Sequence, residues 1–132
     1  MSIDGENRVA RQERIALDPL PSTTVEFLCH LESNLPQMGA FVRLSYVPYK
    51  AALSAEAFSS YLNDIPVPEE SASALETCAA VILDDLNNEL VPRWLQLVLT
   101  RGLEDGTVQT VLVEDKQPRW DNKVLLARAQ GI

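Results

Sequence analysis

The segment from Leu75 to Leu90 narrows the choice of fold more than any other. Leu75, Cys78 or Ala79, Ile82, Leu86 and Leu90 recur at intervals of three and four, while Asp84, Asp85, Asn87 and Asn88 fall on the other side. That is the period of a helix with one buried stripe. Ser71 or Ser73 stands where an N-cap belongs, and Pro92 closes the far end. Such a stripe needs a surface to cover, and the flanking sequence supplies one. TTVEFLCH (23–30) sets Val25, Phe27 and Cys29 against Thr24, Glu26 and Leu28, and AFVRLSYVP (40–48) sets Val42, Leu44 and Tyr46 against Phe41, Arg43 and Ser45. Beyond the helix, WLQLVLT (94–100) and TVQTVLVE (107–114) flank the turn RGLEDG. In the last stretch Val108, Thr110, Leu112 and Glu114 share one face and Gln109, Val111 and Val113 the other. Alternation with a period of two predicts half-buried strands.

The connections follow from turn chemistry. Residues 31–39, with Pro36 and Gly39, read as the link of a hairpin between the first two strands. Ser54 can cap a short helix running to Leu62, without a full capping box because Ala57 has no side chain to reach back. Residues 63–72 hold two prolines and three acids and form a loop. The first 19 residues show charges and no sustained period, so 1–19 is expected to be a flexible arm, with Pro19, Pro21 and Ser22 opening a folded domain over 20–114. A C-terminal tail, 115–132, can close with a short helix in DNKVLLARAQGI. The order strand, strand, helix, helix, strand, strand describes an α+β domain: a four-stranded antiparallel sheet with two helices on one face. The uncovered face calls for burial, and self-association into a homo-oligomer, a dimer or larger, is the simplest means.

The 132 residues are 46% apolar and 23% charged, enough for a core and unlike a disordered chain. Nineteen acids against 11 bases give a net charge of −8, a field that phosphate backbones repel, so no nucleic-acid partner is expected. No apolar run reaches 18 residues and the N-terminus lacks the apolar stretch of a signal peptide, which predicts a cytoplasmic protein with no membrane partner. Cys29 and Cys78 read as free thiols. His30 is the only histidine and any relay must use it, yet its neighbour Cys29 points to the opposite side of a strand. Two cysteines and one histidine make no zinc set, and Asp84, Asp85 and Glu89 read as a solvated helix face, so no metal is expected. Glu76 admits two readings. It is a helix-start charge favoured by the macrodipole, or a carboxylate aimed at a ligand's N–H groups. Arg101-Gly102 is expected in the turn between the last strands.

Several segments resemble, in order, the 7-cyano-7-deazaguanine reductase family (QueF) of the tunnelling fold. VEFLC (25–29) and LSYVP (44–48) are similar to its first two strands, LETCAAVILDDLNNELVPRWLQL (75–97) to its helix and following strand, and TRGLEDGTVQTVLVE (100–114) to its Arg-Gly-Gly turn and final strand. The resemblance covers about 90 residues, 23–114. It implies the ββααββ tunnelling fold, a role for Glu76 in gripping the amidine edge of a purine-like base, and Arg101 as a second ligand-binding residue.

The departures bear on the reaction. Where the family has its nucleophilic Cys before a proline, this chain has Leu35 before Pro36; it runs on as Gln37-Met38-Gly39-Ala40, and the segment carrying the family's proton-moving Asp reads as deleted. A leucine forms no thioimidate with a nitrile. The family's nicotinamide-cofactor motif aligns with Ser54-Ala55-Glu56-Ala57-Phe58-Ser59, where both lysines are missing and Glu56 would repel phosphates, so no cofactor is expected. Leu75 and Leu103 replace the family's His and second turn Gly. The resemblance thus implies a non-reductase that binds a purine, deazapurine or pterin-type heterocycle or acts structurally. The alternatives are an enzyme of 7-deazaguanine (queuosine-type) metabolism that reduces or amidates through another nucleophile such as Cys29, and a subunit that docks a protein partner through its tails.

Overall fold

The computed structural model describes residues 3–21 and 24–130. Helix α1 (Ile3–Glu13) leads into a short strand β1 (Leu17–Pro19). Strands β2 (Cys29–Leu35) and β3 (Ala40–Val47) follow, joined by a 3-10 turn at Pro36–Met38, and then β4 (Ala51–Leu53). Two helices, α2 (Ala55–Leu62) and α3 (Ala74–Leu90), precede β5 (Trp94–Gly102), β6 (Val108–Lys116) and α4 (Lys123–Ala129). β2, β3, β5 and β6 form a four-stranded antiparallel sheet in that order, and β1 pairs with β4 in a separate antiparallel ribbon. The architecture is α+β, as the sequence pattern predicts, and the short helix expected in the C-terminal tail is present as α4; the described residues add the β1–β4 ribbon and helix α1 to the expected elements.

Strand periodicity sorts the sheet's side chains. Val42, Leu44 and Tyr46 of β3 and Leu95, Leu97 and Leu99 of β5 join Leu75, Ile82 and Leu86 of α3 and Phe58 and Leu62 of α2 in one core. Each such aliphatic side chain contributes about 1.5–3 kcal/mol on burial. Ser54 caps α2 as its position predicts, its hydroxyl accepting from the Ala57 N–H at 3.1 Å. Ser73 precedes α3 without a side-chain cap; its carbonyl instead accepts from the Thr77 N–H and hydroxyl.

The first strand differs from its predicted place. It spans 29–35, not 23–30, because Cys29, Leu31, Ser33 and Leu35 continue the alternation onto the helix-covered face while the turn at 36–38 closes the hairpin tightly. Gly39 at φ 59° takes the left-handed position that this turn requires, and Leu35 then faces Ala40 in register. Pro36 therefore ends the strand instead of marking the middle of a long link. Residues 24–28 lie outside the sheet; Leu28 packs against Val47, Trp94, Trp120 and Ala129 in a smaller core on the sheet's other face. That core includes Leu125 and Leu126 of α4, so part of the face expected to await another subunit is covered by the chain itself. Phe41, Val108 and Leu112 stay exposed at the uncovered end.

Where the sequence predicts a flexible arm, the structure has a docked helix. Arg11, 4% exposed, donates from Nε to Asp85 Oδ2 at 2.7 Å and from a terminal nitrogen to Oδ1 at 3.2 Å. Gln12 adds a bond to Oδ1 at 3.0 Å, the Tyr61 hydroxyl donates to Oδ2 at 2.6 Å, and Ile15 enters the main core. Asp85 is thus buried, correcting its expected place on a solvated face; α1 covers that side of α3. Burial and the adjoining carboxylate push the Tyr61 hydroxyl far above its ordinary pKa. Removing one member of a buried pair strands the other charge. Arg11→Ala should therefore cost about 3–5 kcal/mol in urea denaturation, and a loss below about 1 kcal/mol would mean the pair is solvated.

The C-terminal segment is tied down differently. Glu26 accepts from the Trp120 indole at 2.9 Å and the Asn122 amide at 2.8 Å, with Arg93 at 3.4 Å. These bonds, Trp120's first, hold its carboxyl below the usual range. A depressed folded pKa means that the stabilisation is complete above the unfolded carboxylate's value and fades as pH falls through the lower folded one. Tryptophan fluorescence should report release of Trp120 below the ordinary glutamate range, about 4.3. Glu26→Gln should weaken docking at neutral pH and flatten that acid limb.

Candidate functional site

One register row crosses the whole sheet. Leu35 faces Ala40, Ala40 faces Arg101, and Arg101 faces Gln109. Residues opposite one another share a face, and Leu35 and Ala40 lie in the core beneath the helices, so Arg101 and Gln109 point to the helix side as well. The first turn of α3 stands over the end of this row. There Gln109 Nε2 donates to Glu76 Oε1 at 3.4 Å, while Gln109 Oε1 accepts from Arg101 Nε at 3.2 Å. Arg101 also donates to Glu70 Oε1 at 3.2 Å from a side chain only 11% exposed. Glu76, Gln109, Arg101 and Glu70 thus form a continuous chain of hydrogen bonds.

The two residues singled out by the sequence, Glu76 and Arg101, are brought together, but through Gln109 and not directly. The signal for Gln109 was present: it shares the face of Val111 and Val113 and sits across the last hairpin from Arg101. Glu70 gave no signal within its acidic loop. At 3.4 Å the Glu76–Gln109 bond is near the limit of the interaction, and Glu76 is exposed, so a ligand's N–H can displace the amide with little loss. Beside the row a hollow of about 540 Å³ is walled by Asn34, Pro36, Gly39, Phe41, Thr100 and Arg101. Its size is that of a small-molecule site. Glu76 is not part of its wall and is reached through Gln109 and Arg101.

Leu35 occupies the same row, wholly buried, and has no group to offer a reaction. Neither thiol stands in for one. Cys29 lies six positions back along β2, about 20 Å at 3.3 Å per residue, where burial raises its pKa and the Tyr46 hydroxyl opposes that rise. His30 points to the other face and meets Ser45, so the Cys29–His30 neighbours do not pair, as strand geometry predicts. Cys78, on α3 two residues after Glu76, is 1% exposed; burial pushes its thiol up and the Arg101 guanidinium only partly offsets this. Among the described residues no cluster of three His, Cys, Asp or Glu side chains could hold a metal, and no helix is long and apolar enough to cross a membrane.

The fold and site define an α+β protein with an acid–amide–guanidinium chain at one end of its main sheet. No profile of a known protein family matches it. Over 96 residues it is 28% identical to the NADPH-dependent 7-cyano-7-deazaguanine reductase of Nitrosococcus oceani, covering 73% of this chain and 72% of that protein. Over 97 residues it is 29% identical to a protein of the same name from Syntrophus aciditrophicus, covering 74% of this chain and 67% of that one. These likenesses support relatedness to the 7-cyano-7-deazaguanine reductases.

A nicotinamide cofactor, which those names imply, needs cations for its phosphates. Residues 54–59, which the sequence resemblance likens to the family's cofactor motif, form the cap and first turns of α2, and the one charge there is the exposed Glu56. That donor set does not fit a phosphate-bearing cofactor. Both thiols are held protonated at neutral pH, so a thiol-exchange reagent should modify native Cys29 and Cys78 far more slowly than the unfolded chain. Fast stoichiometric labelling of native Cys29 would restore it as a nucleophile.

Proposed function

We propose that the protein is a tunnelling-fold, homo-oligomeric relative of the 7-cyano-7-deazaguanine reductases that holds a planar purine, deazapurine or pterin-type heterocycle without reducing it. One contrast carries this reading. The carboxylate that the family resemblance assigns to base recognition, Glu76, is exposed and loosely engaged, while the position of the family's nucleophile holds a fully buried hydrocarbon, Leu35. A carboxylate accepts two parallel N–H bonds from an amidine edge, each worth about 1.5–3 kcal/mol when charge-assisted. Arg101, linked to Glu76 through Gln109, offers N–H donors to an acceptor elsewhere on the same ring. With no thiol in the row and no cation in the cofactor segment, this site binds and does not transfer hydride.

A second reading is favoured by the names of the two relatives: an enzyme of 7-deazaguanine metabolism working through a different nucleophile. Two measurements separate them. In a thermal-shift series with 7-cyano-7-deazaguanine, guanine and pterins, a ligand at 100 times its Kd should add about 2.7 kcal/mol, several degrees in Tm. Glu76→Ala should abolish that shift. Loss of NADPH absorbance on mixing with 7-cyano-7-deazaguanine would overturn the binding-only reading and establish the second. No shift with any of these heterocycles would remove both recognition by Glu76 and the proposed ligand class.

A further inference from the structure

The opposite face of the sheet carries the chain's single histidine in a setting that heterocycle binding does not use. His30 and Ser45 are register partners, and Glu32 and Arg43 form another register pair two residues along. Ser45 Oγ lies 2.9 Å from His30 Nδ1, and His30 Nε2 lies 3.6 Å from Glu32 Oε2. The other oxygen of Glu32 meets Arg43 Nε at 3.3 Å. The imidazole therefore has a hydroxyl at hydrogen-bond distance from one nitrogen and a carboxylate in ion-pair range of the other, with a guanidinium beside that carboxylate. Glu32 favours the tautomer protonated on Nε2, which leaves the Nδ1 lone pair for the Ser45 hydroxyl proton.

The ladder is closed to water at one end and open at the other: Ser45 is 6% exposed and His30 half-buried, whereas Glu32 is exposed and Arg43 only partly covered. Ser45 forms part of the wall of a hollow of about 310 Å³, with Val98, Leu112 and Ala129 as its apolar side and the amides of Gln96 and Gln130 as its polar one. Nucleophile beside base, base beside acid, and an adjoining hollow with amide donors are the parts of an acyl-transfer site. Contacts of this kind are commonly loose without substrate.

We propose that Ser45, His30 and Glu32 form a nucleophile relay that hydrolyses small esters with short acyl chains. Ser45 Oγ bonds to the ester carbonyl carbon as His30 Nδ1 takes the hydroxyl proton. The tetrahedral adduct then expels the alkoxide, which leaves as alcohol with that proton. Water, deprotonated by His30, attacks the acyl-serine; the serine oxygen departs with the proton, giving the carboxylic acid and restoring the site. Ester and water become acid and alcohol with no further reagent. Gln96, whose amide gives one N–H to Glu114 at 3.1 Å, has a second for the carbonyl oxygen.

The test treats the full chain with diisopropyl fluorophosphate, maps the adduct by mass spectrometry, and follows p-nitrophenolate release from p-nitrophenyl acetate. A single adduct on Ser45 and an initial burst of p-nitrophenolate are expected. Ser45→Ala should abolish both, and His30→Gln should slow release about a hundredfold or more. No adduct, an adduct elsewhere, or unchanged release in folded Ser45→Ala would overturn the proposal. Should either variant fail to fold, labelling of the native chain decides: an adduct on Ser45 supports the relay, and its absence rejects it.

Discussion

Asp85 sits midway along α3 with 1% of its surface exposed, and it accepts from Arg11 and Gln12 of α1 and from Tyr61 of α2. A carboxylate in that position is tolerable only with several charged or polar donors around it. Helices α1, α2 and α3 are thus bound to one another through one carboxylate, which loses its charged partner if α1 leaves and a hydroxyl donor if α2 does. The same contact fixes the rotation of α3. Nine residues at 3.6 per turn put Glu76 about 180° around the helix from Asp85. With Asp85 turned toward α1 and α2, Glu76 turns toward β6. Asn87, 11 residues after Glu76 and on nearly the same stripe, confirms the sense of that rotation by donating to Asp115 of β6 at 2.9 Å.

The other half of the candidate site is set by register. Slipping β5 or β6 by one residue would send Arg101 or Gln109 to the opposite face. Alternation of Leu95, Leu97 and Leu99 into the core forbids that slip, because it would expose all three. The tight turn at Gly39 adds a second constraint by closing Leu35 onto Ala40. Leu35 therefore belongs to the packing of the sheet. As a fully buried side chain it forms part of the packing that holds the row in register.

Much of this was legible locally. The Ser54 cap, the stripe of α3 and the faces of the last two strands depend on neighbours within a few residues, which periodicity reports directly. The position of β2 was less so, since 25–29 alternates as well as 29–35, and only the compact turn chooses between them. Asp85 was illegible for a plain reason: its guanidinium partner lies 74 residues away on a helix whose own sequence looks solvated. Glu76 and Arg101 could be named from the resemblance, yet the amide that joins them belongs to a third element. Ser45 and His30 were each read in the right orientation, but their meeting depends on a register that the misplaced first strand concealed.

The period of two also keeps the molecule's two polar sites apart. Glu76, Gln109 and Arg101 gather on the helix-covered side, and His30, Ser45 and Glu32 on the other. No side chain of a strand reaches both, because adjacent residues point through opposite faces. The backbone that separates them is satisfied by ladder bonds on both sides in β3 and β5. Leu35 packs into the helix-covered face, and His30, Ser45 and Glu32 project from the opposite one. Each face can acquire or lose chemistry independently so long as the alternating leucines of β5 hold the register.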